Sequence, residues 1–417
     1  MQALSSTELF RRDLTERPVL FEEHSGVRKV ILNRPSKLNS LTFEMVSQMF
    51  SKLKIYEDDH TVNFVILKGN GKAFCAGGDV VGNMCYMLTG HWSFGASFYK
   101  KQLTLDQLIA TYKKPLVCFI NGVVMGGGAG ISMHGSFRVV TEKTVFAMPE
   151  AALGLFPDVG ASHFLSKLPG YFGEYLGLTG ARDLPLLEHN LSLEDSSNAS
   201  EILLVINKYA HKSNPKQEEL HNRLKTINRC FSRQTVEDIL HSLEKELLDN
   251  LAEKWIANAV NNMKSASPTS LKIFLRSVRA DGIFISRKYS AIFVRTEWEL
   301  YCQQTNSLRT YMHVFICLFL QLIREGRGQT IEQCLAREYT IFCNIVQRKI
   351  TNDYYEGSRA IFFDKDKRPK WEPAKLELVT AEMVDMLFKA SEDDDDWNCL
   401  QLRARSSNSL DLARSKL

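Results

Sequence analysis

The feature that most constrains the fold is an alternation of β-rich runs and helix-patterned segments through the first half of the chain. Val19–Glu23 and Val27–Leu32 flank a His-Ser-Gly turn signal and predict a hairpin. Thr42 can cap a helix whose apolar residues recur at helical spacing, namely Val46, Met49, Phe50 and Leu53. Four more runs predict strands: Val62–Leu67, Leu116–Ile120, Phe137–Val140 and Val145–Met148. This alternation predicts an α/β fold.

The second half of the chain has a different pattern. One apolar stripe at helical spacing contains Val236, Ile239, Leu240, Leu243, Leu247, Leu251 and Trp255. Thr235, just before the stripe, and Asp238, in its first turn, have the spacing of a capping box. We therefore expect an α/β core over residues 15–190 and a helical region over residues 191–390. Residues 391–417 begin with an acidic run that predicts a solvated, disordered tail.

Composition excludes several classes of protein. The 417 residues include 52 Lys plus Arg, 48 Asp plus Glu and 44% hydrophobic residues, which is the balance of a globular protein. It gives no support for a nucleic-acid binder or a membrane protein, and the apolar run Val314–Ile323 is too short to span a bilayer. The nine Cys are odd in number and form no CxxC pair, which disfavours a disulfide framework and a zinc site and favours a reducing compartment.

Two glycine-rich segments are candidates for ligand binding. They are Lys72–Asp79, which reads KAFCAGGD, and Asn121–Gly130, which reads NGVVMGGGAG. Glycines let the backbone approach a ligand closely and present N–H groups without an intervening Cβ. A dinucleotide-binding loop is the alternative, but the order GGGxG differs from GxGxxG and no clear acidic partner follows.

Two carboxylates lie downstream, on either side of an apolar stretch with Pro and Gly. Glu150 follows Ala147-Met148-Pro149, and Asp158 lies in GLFPDVG. An acid held among apolar neighbours tends to have a raised pKa, which suits acid/base or nucleophilic chemistry. Taken singly, each is better explained as a helix cap or a surface carboxylate.

Together, KAFCAGGD, GVVMGGGAG and FAMPEAALGLFPDVG resemble the crotonase (enoyl-CoA hydratase/isomerase) superfamily, in particular its plant-type 3-hydroxyisobutyryl-CoA hydrolase branch. The C-terminal stretch Glu356–Ala360 and the segment Pro369–Pro373 resemble the same branch. The resemblance implies a crotonase-like (ββα spiral) core, followed by a helical C-terminal region. It also implies an acyl-CoA substrate, allows a homo-oligomer, and requires no metal or redox cofactor.

The resemblance further implies roles for five residues. The backbone N–H groups of Gly78 and Gly127 would form an oxyanion hole for the thioester oxygen. Glu150 would attack the thioester carbonyl or activate water, and Asp158 would bond the substrate 3-hydroxyl and assist proton transfer. Gln102 falls where relatives place a polar substrate-contacting residue, commonly Glu.

Gly130 discriminates between reactions within the superfamily. Hydratases use two glutamates, and the first would fall at this position, where glycine provides no acid or base. The resemblance therefore favours thioester hydrolysis, in valine breakdown or disposal of acyl-CoA linked to β-oxidation. The alternatives are an enoyl-CoA hydratase or isomerase, and a non-catalytic scaffold such as the mitochondrial ribosomal component found among plant relatives.

The sequence departs from the family pattern at two places. About 20 residues are absent after Arg182, where relatives have a helix and a strand. The helical stripe of Leu271, Phe274 and Leu275 is lost at Val278 and resumes at Leu322, so residues 278–321 are predicted to be an insert, such as a retained intron read in frame. A chain so altered is expected to fold poorly or to have weak activity. Finding residues 278–321 in every transcript would contradict the intron hypothesis.

The last three residues, Ser415-Lys416-Leu417, match the tripeptide that a peroxisomal import receptor recognises. The start of the chain has no apolar stretch of the kind found in secretory signals. We therefore expect a peroxisomal protein, with a mitochondrial location as the alternative.

Overall fold

All eight strands described here lie in the first half of the chain. The computed structural model describes residues 17–182, 217–249, 253–279, 329–389 and 400–402. The strands are β1 (Val19–His24), β2 (Val27–Leu32), β3 (Phe64–Gly69), β4 (Ala73–Cys75), β5 (Leu116–Ile120), β6 (Val123–Met125), β7 (Phe137–Val140) and β8 (Val145–Ala147). The predicted hairpin is confirmed, because His24 of β1 pairs with Val27 of β2 across a two-residue turn.

The strands form two sheets. The larger has the order β1-β2-β3-β5-β7, with β1 antiparallel to β2 and every other pair parallel. The smaller has the order β4-β6-β8 and is parallel throughout. Since parallel neighbours need crossover connections, consecutive strands after β2 alternate between the sheets or are separated by helices.

Six helices follow or separate these strands. They are α1 (Phe43–Asp58), α2 (Val80–Thr89), α3 (Ser93–Ala110), α4 (Gly127–Met133), α5 (Ala161–Ser166) and α6 (Phe172–Thr179), with short 3₁₀ turns at Pro35–Lys37 and Glu150–Leu153. The hydroxyl of Thr42 accepts a hydrogen bond from the Met45 N–H at 3.2 Å, as the cap prediction requires. The predicted apolar face of α1 is buried, except that Phe50 is only half-buried.

The described residues after Gln217 are helical. They form α7 (Gln217–Phe231), α8 (Val236–Asp249), α9 (Lys254–Ser265), α10 (Pro268–Arg279), α11 (Ile331–Val346), α12 (Asp353–Ser358) with a π-helical turn at Arg359–Phe363, a 3₁₀ turn at Leu376–Leu378, and α13 (Ala381–Phe388). The predicted stripe is divided between two helices. The helix ends at Asp249, and Trp255 belongs to α9, where it packs edge-on against Tyr175 of α6.

The helical region packs directly against the strand-rich core. Tyr99 of α3 stacks on Phe342 of α11, with ring centroids 4.2 Å apart, and on Tyr339 at 6.4 Å. All three side chains are buried in one continuous apolar core. The crossing of α3 and α11 therefore brings residues from the two halves of the sequence to one place.

Several predictions fall on residues outside the described ranges. The predicted gap is followed by residues 183–216, most of the predicted insert lies in 280–328, and the tripeptide Ser415–Leu417 lies in 403–417. Helix α10 continues through Val278, which is buried, and ends at Arg279. Among the described residues, none of the helices combines the length and the apolar character that crossing a bilayer demands.

Candidate active site

The candidate active site lies at the carboxyl ends of the three strands of the smaller sheet. Ala76-Gly77-Gly78 follows β4, Gly126-Gly127 follows β6, and Met148-Pro149-Glu150 follows β8. Because β4, β6 and β8 are parallel neighbours, these three segments emerge at the same edge. The two glycine-rich motifs and Glu150 thus meet although they are far apart in sequence.

Gly78 and Gly127 present two backbone donors side by side. A Cβ placed on Gly127 would lie 3.2 Å from the Gly78 nitrogen and 2.4 Å from Nε2 of Gln102, so any larger residue at 127 would displace its neighbours. Neither glycine N–H donates to an acceptor within the described residues. Gly127 is also the first residue of α4, where helical N–H groups lack intrahelical acceptors. The pair can therefore bind an oxygen that carries negative charge.

Glu150 lies beside this pair of donors. Its Oε1 would be 2.7 Å from a Cβ placed on Gly126, and its Oε2 has no hydrogen-bond partner among the described residues. The side chain is buried, and burial together with the negative charge of Asp158 raises the pKa of Glu150 well above its ordinary value. A buried carboxylate with an unpartnered oxygen is suited to accept a proton or to attack a bound electrophile.

Asp158 is the second buried carboxyl group. Burial and the negative charge of Glu338 raise the pKa of Asp158 to about 8, against a smaller opposing effect of the Tyr99 hydroxyl. Because Glu150 and Asp158 raise one another's proton affinity, the pair retains at least one proton near neutral pH. Two acids that share a proton can act as a base and an acid in turn.

Helix α3 adds a row of buried polar side chains to the site. Tyr99, Gln102 and Asp106 are spaced i, i+3 and i+7, which places them on one helix face. Gln102 Nε2 and both carboxylate oxygens of Asp106 lack hydrogen-bond partners among the described residues, whereas the Tyr99 hydroxyl interacts with Asp158 and lowers its pKa. The structure thus brings all five predicted site residues together, and it adds Tyr99, Asp106 and Glu338.

The sequence contains one signal that identifies part of this row. Tyr99, Gln102 and Asp106 interrupt an apolar helix face at helical spacing, and Asp106 is fully buried. Such a face with unpaired polar groups is more often found at a ligand site than in a structural core. Glu338 carries no such signal, because it lies in a separate helix far along the chain.

No metal site accompanies these carboxylates in the part of the chain that is described, since no group of three or more His, Cys, Asp or Glu there has the proximity to hold an ion. The acids of the site instead interact with hydroxyl groups, backbone N–H groups and one another. The expectation that the chain needs no cofactor stays a prediction.

The fold and the arrangement at the strand ends define a class of protein. The enoyl-CoA hydratase/isomerase family model matches residues 27–184, 181–284 and 284–388, and the chain belongs to that family. The crystal structure of a carnitinyl-CoA dehydratase from Mycobacterium thermoresistibile is similar over 91% of this chain and 98% of its own, with a TM-score of 0.70 and 29% identity. The predicted crotonase fold is therefore confirmed.

Within the family, the similarity extends to a particular branch. A protein named probable 3-hydroxyisobutyryl-CoA hydrolase 3, from Arabidopsis thaliana, is 42% identical over 408 residues, covering 93% of this chain and 96% of that protein. The 3-hydroxyisobutyryl-CoA hydrolase 1 of the same plant is 42% identical over 397 residues, covering 91% and 93%. The resemblance to the 3-hydroxyisobutyryl-CoA hydrolase branch is thus confirmed.

Proposed function

We propose that this protein hydrolyses 3-hydroxyisobutyryl-CoA, or a related short 3-hydroxyacyl-CoA thioester, to the free acid and CoA, as a step in valine breakdown. The observation that carries the proposal is the meeting of the Gly78 and Gly127 donors with the buried, unpartnered Glu150 at one sheet edge. The similarity to two hydrolases along nearly the whole chain supports the same substrate class.

The two glycine N–H groups bind the thioester oxygen in this reaction. Negative charge grows on that oxygen when a nucleophile adds to the carbonyl carbon, and fixed backbone donors stabilise it without reorganising. Nε2 of Gln102 lies next to Gly127 and is a further donor that faces the same position. The amide is neutral, so it stabilises the oxyanion as a hydrogen-bond donor and adds no charge of its own.

Glu150 forms or promotes the new bond to the acyl carbon. In the direct route a carboxylate oxygen of Glu150 bonds to that carbon, the carbon–sulfur bond breaks, and water then cleaves the acyl-enzyme. In the alternative route Glu150 takes a proton from water, which attacks in its place. Both routes need Glu150 ionised and end with the free acid and CoA.

Asp158 provides the proton that balances the reaction. The leaving CoA thiolate is protonated as the carbon–sulfur bond breaks, and Asp158, whose pKa is about 8, still holds a proton at neutral pH. We expect the same carboxyl group to bond the 3-hydroxyl of the substrate. The proposed mechanism therefore requires the proton of the pair to lie on Asp158 and Glu150 to be ionised, although burial raises the pKa of both groups.

The surroundings of Gly130 disfavour hydration as the main reaction. A Cβ on Gly130 would lie 2.7 Å from Cβ of Val159 and 3.2 Å from Oδ1 of Asp106. This crowding leaves no room for a glutamate side chain unless the neighbours move. A hydratase needs a second carboxylate at this position, but the residue here is glycine and the space around it is filled.

Release of free thiol from 3-hydroxyisobutyryl-CoA tests the proposal. The wild type is expected to release thiol, and Glu150→Gln to lose most of that activity, since the amide is a poor nucleophile and a poor base. Absorbance of the enoyl thioester band, followed in parallel, reports hydration or dehydration instead.

Glu142→Gln is the matched control, because Glu142 is an exposed glutamate near the end of β7 and should not affect turnover. A folded wild type with neither activity would favour a scaffold role. Equal thiol release by wild type and Glu150→Gln would contradict the assignment of Glu150.

A further inference from the structure

The turn that carries Asp158 has an unfavourable backbone conformation. Val159 has φ of +54° and Gly160 has φ of +83°, both in the left-handed region. A β-branched residue rarely adopts this region, at a cost of order 1–3 kcal/mol. Gly160 cannot be replaced easily either, because a Cβ there would lie 2.4 Å from Nε2 of His134. The surrounding structure must therefore hold the turn in place.

Glu338 of α11 holds this turn from the helical half of the chain. The N–H of Gly160 donates to Oε2 of Glu338 at 2.7 Å. The N–H and the hydroxyl of Ser162 both donate to Oε1, at 3.2 and 2.7 Å. Glu338 is fully buried, so water does not compete for these bonds.

His134 holds the other side of the turn. Its Nε2 is 3.0 Å from the carbonyl oxygen of Val159, and because a carbonyl only accepts, Nε2 carries the proton. Burial lowers the pKa of His134 to about 4, so the ring is neutral and adds no charge to the site. The two contacts therefore differ, since only Glu338 brings a formal charge to the turn.

The contacts of Glu338 favour its ionised form. All three groups that bond to it are donors, and an ionised carboxylate is an acceptor only. The neighbouring Arg337 donates to the Ser162 hydroxyl at 3.1 Å and also lowers the pKa of Glu338. These interactions oppose burial, which is the largest influence, and the pKa of Glu338 stays raised above its ordinary value.

We propose that Glu338 is a positioning residue of the active site, which fixes the Asp158 turn through three hydrogen bonds and places a buried carboxylate beside it. The inference rests on the proposed function for its kinetic part. It gives the helical half of the chain a direct part in the chemistry, although Glu338 itself does not act on the substrate.

The charged and titratable groups around Asp158 come from four elements. Glu150 lies on the 3₁₀ turn after β8, Tyr99 and Asp106 on α3, Glu338 on α11 and Tyr354 on α12. After burial, the charge of Glu338 is the largest influence that raises the pKa of Asp158, while the Tyr99 hydroxyl lowers it. Removing the charge of Glu338 should therefore let Asp158 lose its proton at lower pH.

Two variants separate the charge of Glu338 from its geometry. Glu338→Gln removes the charge, whereas Glu338→Asp keeps the charge but shortens the side chain by one methylene. The control is Glu174→Gln, which alters another buried glutamate, 3.5 Å from Arg279 and outside the carboxylate cluster. The readouts are the pH dependence of kcat for thiol release and the titration of ¹³C-labelled Asp carboxyl groups by NMR, with Asp158→Asn identifying the signal.

We expect Glu338→Gln to lower kcat about 10- to 100-fold and to move the alkaline limb of the profile down by about one pH unit. Glu338→Asp should lower kcat but leave the limb in place, and Glu174→Gln should leave both unchanged. A folded Glu338→Gln that titrates like the wild type would overturn the inference, as would an equal shift in the control.

If Glu338→Gln does not fold, Glu338→Asp and Ser162→Ala still test the positioning role. Each keeps the buried charge and loosens its hold on the turn, so kcat should fall while the alkaline limb stays; unchanged kcat in both would overturn the role. The NMR titration needs no turnover. If the wild type releases no thiol, the proposed reaction is refuted. If the Asp158 titration still moves in Glu338→Gln, the role of Glu338 is retained.

Discussion

The two sides of the candidate site are built in different ways. On the sheet side, Gly78, Gly127 and Glu150 follow three adjacent parallel strands, and the donors are backbone N–H groups. On the helical side, Gln102 and Asp158 depend on side-chain packing, and Asp158 also depends on Glu338. The comparison teaches that the first side is fixed by local chain geometry and the second by contacts between distant segments.

The backbone donors and the carboxyl groups of the site should also differ in their response to pH. Backbone N–H groups do not titrate, so loss of a donor should lower the rate equally at every pH. The carboxyl groups carry raised pKa values, so changes to them should alter the shape of the pH profile. Four substitutions test this contrast, in order of expected effect.

Asp158→Asn should have the largest effect. It removes the proton donor, so kcat is expected to fall about 10²- to 10⁴-fold. In the wild type kcat should decline above a pH of about 8, where Asp158 loses its proton, and this decline should vanish in the variant. Thiol release measured from pH 5 to 10 checks both statements. Asp58→Asn, at the exposed end of α1, is the control. If kcat still declines at alkaline pH in Asp158→Asn, the decline belongs to another group.

Gly127→Ala should lower kcat about 10²- to 10³-fold, the loss typical of one oxyanion donor. The new Cβ would meet Gln102 Nε2 at 2.4 Å and the Gly78 nitrogen at 3.2 Å, and would disturb both donors. The ratio of variant to wild-type kcat should stay constant across the pH range. Gly82→Ala in α2, where the Cβ would meet Asp79 at 3.3 Å, should retain activity. A pH-dependent ratio for Gly127→Ala would remove the contrast between the backbone donors and the carboxyl groups.

Gln102→Ala should have a smaller effect. It removes one neutral donor, and a single hydrogen bond contributes about 0.5–1.5 kcal/mol, so kcat/KM should fall about threefold to tenfold. Gln107→Ala is the control on the same helix, because Gln107 donates to Glu332 at 3.2 Å and joins α3 to α11 instead of facing the donors. The control should lower the melting temperature without lowering kcat/KM. If Gln107→Ala lowers kcat/KM and Gln102→Ala does not, Gln102 lies outside the site.

Asp106→Asn should change stability rather than rate. Burial and the charges of Asp158 and Glu338 raise the pKa of Asp106 well above its ordinary value. Below the unfolded-state pKa, about 3.9, both states are protonated; as pH rises above it, only the unfolded state releases the proton, so stability falls. The variant should flatten this fall and melt about 2–4 °C higher at pH 8, the shift that about 1 kcal/mol produces. Scanning calorimetry from pH 4 to 8 measures this fall in melting temperature, with Asp58→Asn as the control. An Asp106→Asn variant whose melting temperature falls with pH as steeply as that of the wild type would contradict the prediction.

Much of the sheet side was predictable from sequence, and less of the helical side. The two glycine-rich motifs and Glu150 each follow a short β-rich run. Their positions can be predicted because strand order and local geometry determine the sheet side. Asp158 was recognised by its motif, but the turn at Val159 and its contact with Glu338 depend on packing between α11 and the core. The end of α8 at Asp249 was missed because the apolar spacing continues into α9.

The hydrogen bond from Gly160 to Glu338 joins residues 178 positions apart, and this separation has a consequence for biosynthesis. A chain folds from its N-terminus as the ribosome makes it, so the sheets and both glycine loops can form early. The Asp158 turn cannot be held in place until α11 has been synthesised. A newborn chain would thus carry its oxyanion donors well before it has a complete proton donor, and would stay inactive until translation is nearly finished.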